Sequence, residues 1–161
     1  MNIDITSFTS KSNIKPEIAM VLVKNIDNAI RFTATDSFKL IEIIEKNPEF
    51  EIADGLYSKE VFKTMLKTKQ GLPPTILKDF HYPEYDQIIP KEYKETSILF
   101  NRINFNHLAD TYKVYKKIFK GDIEVKMLNK FKEGANNQNM QVLKDTKDNL
   151  EITILLMPFS N

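Results

Sequence analysis

The chain has no cysteine among its 161 residues. That excludes disulfides, cysteine-ligated zinc and a thiolate nucleophile, and it suits a reducing compartment. Only four glycines are present, beside seven prolines, so the composition is neither collagen-like nor linker-like. No glycine-rich phosphate cradle and no serine nucleophile elbow occurs. The two histidines, His81 and His107, stand alone, without further ligands at metal-binding spacing. The opening MNIDITSFTSKS lacks the basic-then-apolar layout of a secretion signal. The longest apolar stretch, 152–159, is far too short to span a bilayer. These absences predict a soluble, cytoplasmic protein with no cofactor, no metal and no catalytic constellation.

What is present suffices for one core. Hydrophobic residues make up 42% of the chain, and its length fits a single domain over 1–161. Period-two patterning and turn residues predict strands at 18–24, 29–35, 39–45 and 50–53, the first two joined as a hairpin through Asn25–Asn28. Further strands are expected at 97–100, 122–128, 139–144 and 150–157. Ser58 is placed to cap a helix over 59–69, where Val61, Phe62, Met65 and Leu66 recur at helical spacing, and Gly71, Pro73 and Pro74 follow. Asn104 or Asn106 caps a second helix running to Phe119, with Phe105, Leu108, Tyr112, Tyr115 and Phe119 as its apolar stripe and Gly121 as its stop. FHYPEYDQIIP at 80–90 is aromatic and proline-bounded, and reads as a loop. The sum is an α+β domain: two amphipathic helices packed on antiparallel sheets of about eight strands.

Net charge is only +1, but it is unevenly spread. Residues 58–70 carry a net +3, residues 104–120 another +3, and the remainder of the chain −5. Lys59, Lys63 and Lys67 recur every fourth residue along the first helix, beside its apolar face. Lys113, Lys116, Lys117 and Lys120 cluster on the second, opposite most of its apolar stripe. Lysines on a helix's solvent face are ordinary, and the helix dipole favours them near a C-terminus. Two such helices over an acidic remainder also suit contact with a phosphate backbone. With no arginine in either helix to read base edges, such contact would be independent of sequence. Asp36 and Asp54-Gly55 read as turn chemistry. Glu42, Glu45, Glu49 and Glu51 read as a solvated acidic patch.

Three stretches together resemble the bacterial DNA sliding clamp, the ring-shaped processivity subunit (beta subunit) of DNA polymerase III. RFTATDSFKL at 31–40 resembles the clamp's strand-to-turn segment, with Ser37, Phe38 and Lys39 in place of its Gly-His-Arg. FHYPEYDQIIP is similar to the clamp's Phe-Pro-Asp-Tyr segment ending in proline. ITILLMPFSN at 152–161 resembles the clamp's C-terminal strand running into Met-Pro-Met-Arg-Leu. Weaker likenesses at KPEIAMVLV and LFNRINFNHLADTYKVY extend it over most of 15–159. The stretch 1–14 would be the remnant of a first clamp helix.

The resemblance implies a DNA-clamp-like fold and a non-enzymatic role in DNA replication or repair. It implies a hydrophobic pocket for the clamp-binding peptides of polymerases and other proteins. By position the pocket would be Thr35, Leu40, Pro83, Ile88, Leu155 and Met157, with Ser37, Phe38 and Lys39 at its rim and Tyr85 and Pro158 shaping it. The lysines named above would face duplex DNA. A clamp subunit holds three such domains and this chain little more than one, so a ring would be homo-oligomeric, built from several copies. The alternative is a monomeric interaction module, a decoy or adaptor of phage or mobile-element type, that binds partner peptides without encircling DNA.

Overall fold

Two Asp-Asn turns organise the chain. Asp27, at φ 47°, closes the turn between β1 (Val21–Ile26) and β2 (Ala29–Thr35). Asp148, at φ 54°, closes the turn between β6 (Gln141–Lys147) and β7 (Leu150–Leu156). Two-residue hairpin turns need positive φ, which Asp and Asn tolerate better than most residues. The computed structural model describes residues 3–12, 14–75, 81–89, 104–120, 127–129 and 140–157. Among them β3 (Lys39–Lys46), β4 (Gly55–Tyr57) and β5 (Met127–Asn129) complete one antiparallel seven-stranded sheet, ordered β4-β1-β2-β3-β7-β6-β5. The central seam pairs β3 with β7, Leu40 opposite Leu155 and Ile41 opposite Ile154.

The register sorts side chains onto two faces. Val21, Val23, Ile30, Phe32, Ala34, Ile41, Ile43, Leu143, Ile152, Ile154 and Leu156 share one face and form the main core. Both helices pack there. Helix α1 (Lys59–Thr68) buries Phe62, Met65 and Leu66, with Phe62 edge-on to Phe32 at 6.0 Å. Helix α2 (Phe105–Phe119) buries Val114 and Tyr115, and Tyr115 stacks on Phe119 at 5.2 Å. Ile3, Ile5 and Phe8 of the N-terminal segment, which turns once as a 3-10 helix at Thr6–Phe8, close the same core. Each such large side chain contributes about 1.5–3 kcal/mol when buried. The opposite face carries a smaller cluster of Leu22, Leu40, Leu56, Val142 and Leu155, covered by Tyr85.

Several expected elements differ. Residues 51–53 carry no strand; β4 lies further on, at Gly55–Tyr57. The chain bends at Asp54, but the carboxylate does not serve its own loop. Its Oδ1 accepts from the backbone N–H and the side-chain amide of Asn25, at 2.8 and 2.5 Å, and so ties β4 to β1. Gly55 sits at φ 150°, and a Cβ there would lie 2.6 Å from Pro74 Cβ. Ile18 belongs to a 3-10 turn (Pro16–Ala19), so β1 starts only at Val21. Ser58 and Asn104 cap the helices, accepting from the N–H groups of Val61 and Asn106. The left-handed C-cap positions fall on Lys69 and Lys120 rather than on glycine. The strand expected at 97–100, most of that at 122–128, and the side chain of Phe105 lie outside the described residues.

Candidate functional site

The outer face of the sheet is where the three singled-out segments meet. Thr35, Leu40, Leu155 and Val142 stand in one cross-strand row, each opposite the next. Over this row runs the segment 81–89, which turns as a 3-10 helix at Tyr85–Gln87. Two contacts hold the segment down on β2. Arg31 Nη1 donates to Asp86 Oδ1 at 3.1 Å, and the Tyr82 hydroxyl donates to the Thr33 carbonyl at 3.4 Å. Tyr82 and Tyr85 meet edge to face at 6.1 Å.

Under Tyr85 lies a buried polar layer. Glu42, expected as solvated surface, is only 8% exposed and sits 3.6 Å from Arg31 Nε. Glu45 is buried as well. The register explains both: Glu42 is on the face covered by 81–89, opposite Thr33 and Thr153, and Glu45 lies between Ile30 and Leu150. Arg31 Nε, Thr33 Oγ1, Glu42 Oε2 and the Tyr85 hydroxyl are buried together, and Thr33 and Arg31 both act on the Tyr85 hydroxyl. Burial pushes the Glu42 carboxyl and the Tyr85 hydroxyl up from their ordinary values, against the pull of Arg31.

Beside this layer opens a cleft of about 230 Å³. Of the expected pocket residues, it brings together Thr35, Ser37, Lys39, Leu40, Pro83, Tyr85, Ile88, Leu155 and Met157. Leu40 and Leu155 are its floor, while Ile88 and Met157 are partly exposed at 39% and 36%. The Met157 N–H donates to the Phe38 carbonyl at 2.8 Å, which carries the β3–β7 ladder one step past Leu156. The adjacent leucines divide between the faces: Leu156 enters the helix-side core and Leu155 the cleft.

Phe38 does not line the cleft. It is 60% exposed and borders a separate polar groove with Ser10, Asn106 and His107. Lys39 borders both, but its ammonium turns to the helix side, where it pairs with Asp110 of α2 and lies 5.2 Å from the Phe8 ring. Pro158 lies outside the described residues. Lys15 and Met140 line the cleft without having been expected. Met140 was legible: alternation places it on the face of Val142, whose partner is Leu155. Nothing in the three motifs pointed to Lys15.

Asp36 builds the turn at the cleft's edge. Its Oδ1 accepts from the N–H groups of Phe38 and Lys39 at 3.0 and 2.9 Å, and Ser37 takes φ 77°. The Thr35 hydroxyl donates to the Lys39 carbonyl and accepts from the Ser37 N–H.

The lysines occupy the other side of the molecule. Lys59 is half-buried, and its ammonium donates to the Ser10 carbonyl at 2.9 Å. Lys63 is 3.9 Å from Asp4, and Lys67 is exposed. On α2, Lys113 pairs with Asp110 at 3.1 Å, Lys116 lies 5.9 Å from the Tyr112 ring, and Lys117 and Lys120 are exposed. Burial disfavours the Asp110 charge, but hydrogen bonds from Lys39 and Lys113 outweigh it and hold the carboxyl below its ordinary value. Burial pushes the neighbouring His107 imidazole down. Among the described residues, no helix is long and apolar enough to cross a membrane.

No family model matches the sequence, and no curated protein matches it. Solved structures do match. The H. pylori beta clamp in complex with diflunisal superposes with a TM-score of 0.53 at 13% identity, covering 98% of this chain and 62% of that one. The DNA polymerase III beta subunit of Thermotoga maritima gives 0.50 at 14% identity, over 98% and 63%. The DNA polymerase sliding clamp of Bacillus subtilis gives 0.52 at 13%, over 98% and 61%. The chain therefore spans about three-fifths of the length of these clamps. Two helices on one face of an antiparallel sheet, matched over nearly the whole chain, give this protein the fold of bacterial DNA sliding clamps.

Proposed function

We propose that this chain is a clamp-like, non-enzymatic protein of DNA replication or repair, whose cleft receives short apolar segments of polymerases or other partners. The observation that carries the reading is the cleft itself. Residues from 35–40, 83–88 and 155–157 meet around one apolar floor with a methionine wall. Such a cleft suits Leu or Phe anchors from varied peptides, because a thioether side chain adapts its shape. In the same reading, the exposed lysines of α1 and α2 meet duplex phosphates, and several copies close into a ring. Of the lysines, Lys67, Lys116, Lys117 and Lys120 fit that role best. Lys59, Lys63 and Lys113 are already engaged with Ser10, Asp4 and Asp110.

A second reading is a monomeric adaptor that binds partner peptides at this cleft without encircling DNA. Light scattering at high protein concentration separates the two. A multimeric mass with salt-dependent duplex binding supports the ring. A strict monomer that still binds a fluorescent Leu-Phe peptide supports the adaptor, and absence of peptide binding rejects both.

A further inference from the structure

The outward side of α2 is not uniform. Among the described side chains of the helix, the exposed ones are Asn106, Ala109, Tyr112, Lys113, Lys116 and Lys117. Tyr112 stands apart from the others as a large aromatic ring, 56% exposed, on a face otherwise small, polar or cationic. The helix already packs through Thr111, Val114 and Tyr115, so its core has no use for this ring. Helical spacing puts Ala109 three residues before Tyr112 and Lys116 four after it, on one strip. Side chains on a helix lean towards its N-terminus, so the Tyr112 ring lies over the turn of Ala109, whose methyl group is too small to cover it. The Lys116 ammonium comes over the ring, 5.9 Å from its centre. The one carboxylate of the helix, Asp110, is taken by Lys39 and Lys113. The strip thus presents an open π-face beside lysine charge, with no anion on the helix left to repel a phosphate.

We propose that this face of α2 binds single-stranded DNA, with Tyr112 stacking on an unpaired base. The inference rests on the phosphate-contact reading of the lysines and adds a strand form and a residue that reads it. Phosphate charge draws any strand to Lys116, Lys117 and Lys120. Only an unpaired base can turn its face to the ring, because bases within a duplex are stacked on one another. Stacking on an aromatic side chain outweighs an exposed cation–π contact. The base therefore displaces the Lys116 ammonium, which turns to the adjoining phosphate. Every base has a π-face, so the mode is indifferent to sequence.

The test is fluorescence anisotropy with three labelled probes: a short oligothymidylate, an abasic strand with the same number of phosphates, and a blunt duplex. They are titrated into the full chain and into Tyr112→Ala and Tyr112→Phe. Tyr112 is exposed and alanine favours a helix, so both variants should keep the native melting curve. The native chain is expected to bind the oligothymidylate about fivefold or more tighter than the abasic strand. That ratio should fall to one in Tyr112→Ala and persist in Tyr112→Phe. Added salt should weaken binding of both strands and leave their ratio in place, since stacking carries no charge. Equal affinity of the native chain for the two strands, or a ratio that survives in Tyr112→Ala, overturns the inference, and duplex binding in the same titrations leaves phosphate contact standing. No saturable binding of any of the three overturns both.

Discussion

Leu40 and Leu155 face each other across the β3–β7 seam and together floor the outer cleft, while their neighbours Ile41 and Ile154 enter the helix-side core. One strand pair thus serves two surfaces. The proposed peptide site and the proposed DNA-facing lysines lie on opposite sides of the same sheet, so they should be separable by mutation.

Met157→Lys places a charge at the cleft wall from a position already 36% exposed. It should weaken binding of a Leu-Phe peptide by more than about tenfold, whereas unfolding free energy should change by less than about 1 kcal/mol. Anisotropy paired with urea denaturation checks both halves. Unaltered peptide affinity would remove Met157 from the site.

Replacing Lys113, Lys116, Lys117 and Lys120 together with Glu should abolish duplex binding and leave the peptide affinity intact. In the native protein the log-log salt dependence should be steep, by about 0.9 per phosphate engaged. The variant Lys116→Glu, Lys117→Glu, Lys120→Glu spares the Lys113–Asp110 pair and guards against an effect on folding. Duplex binding that survives in both variants sinks the role of α2.

Asp110→Asn leaves the Lys39 ammonium buried with only Asp36 nearby. Breaking a pair of this kind should cost about 3 kcal/mol at neutral pH. The folded Asp110 carboxyl titrates below its ordinary value of 3.8, so its contribution is fully present above that pH and is lost as pH falls through the folded value. The difference between native and variant should therefore shrink in acid. A constant difference across a pH series of urea melts would show that the charge is not the cause.

Glu42→Gln tests the opposite sign. Burial raises the folded Glu42 carboxyl above 4.5, so the native chain is favoured below the unfolded value and loses that advantage as pH rises through the folded one. The variant should be the more stable protein at neutral pH, with the gap closing as pH falls towards 4.5. Native stability exceeding the variant's at neutral pH would mean that the pairing with Arg31 outweighs the burial.

The parts of the fold legible in the sequence were those set by local rules. Ser58 and Asn104 announced the helix starts, and the turns at 25–28 and the alternation at 39–45 and 150–157 announced the meander. Asp36 was readable as a turn residue because its carboxylate serves its own loop. What stayed hidden depends on partners distant in sequence. Asp54 looks like a turn until Asn25 is seen beside it. Glu42 looks solvated until Tyr85 covers it. Lys39 lies among the rim residues of a cleft, yet its ammonium is taken by a carboxylate of α2. Lys15 opens the likeness at KPEIAMVLV, but only the shape of the cleft puts it beside Leu40 and Leu155.

The seam between β3 and β7 also orders events in time. Even at its near end, Lys46 and Asn149 share a hydrogen bond across a separation of 103 residues. Contacts of such long range form late, because the entropy of closing the intervening chain must be met before they stabilise anything. The cleft floor is made of this seam. During synthesis, the first strands can pair as soon as they emerge, but no partner segment can be held until residue 155 has left the ribosome and β7 has docked. Occupancy of the cleft by a partner segment would therefore report that β7 has docked.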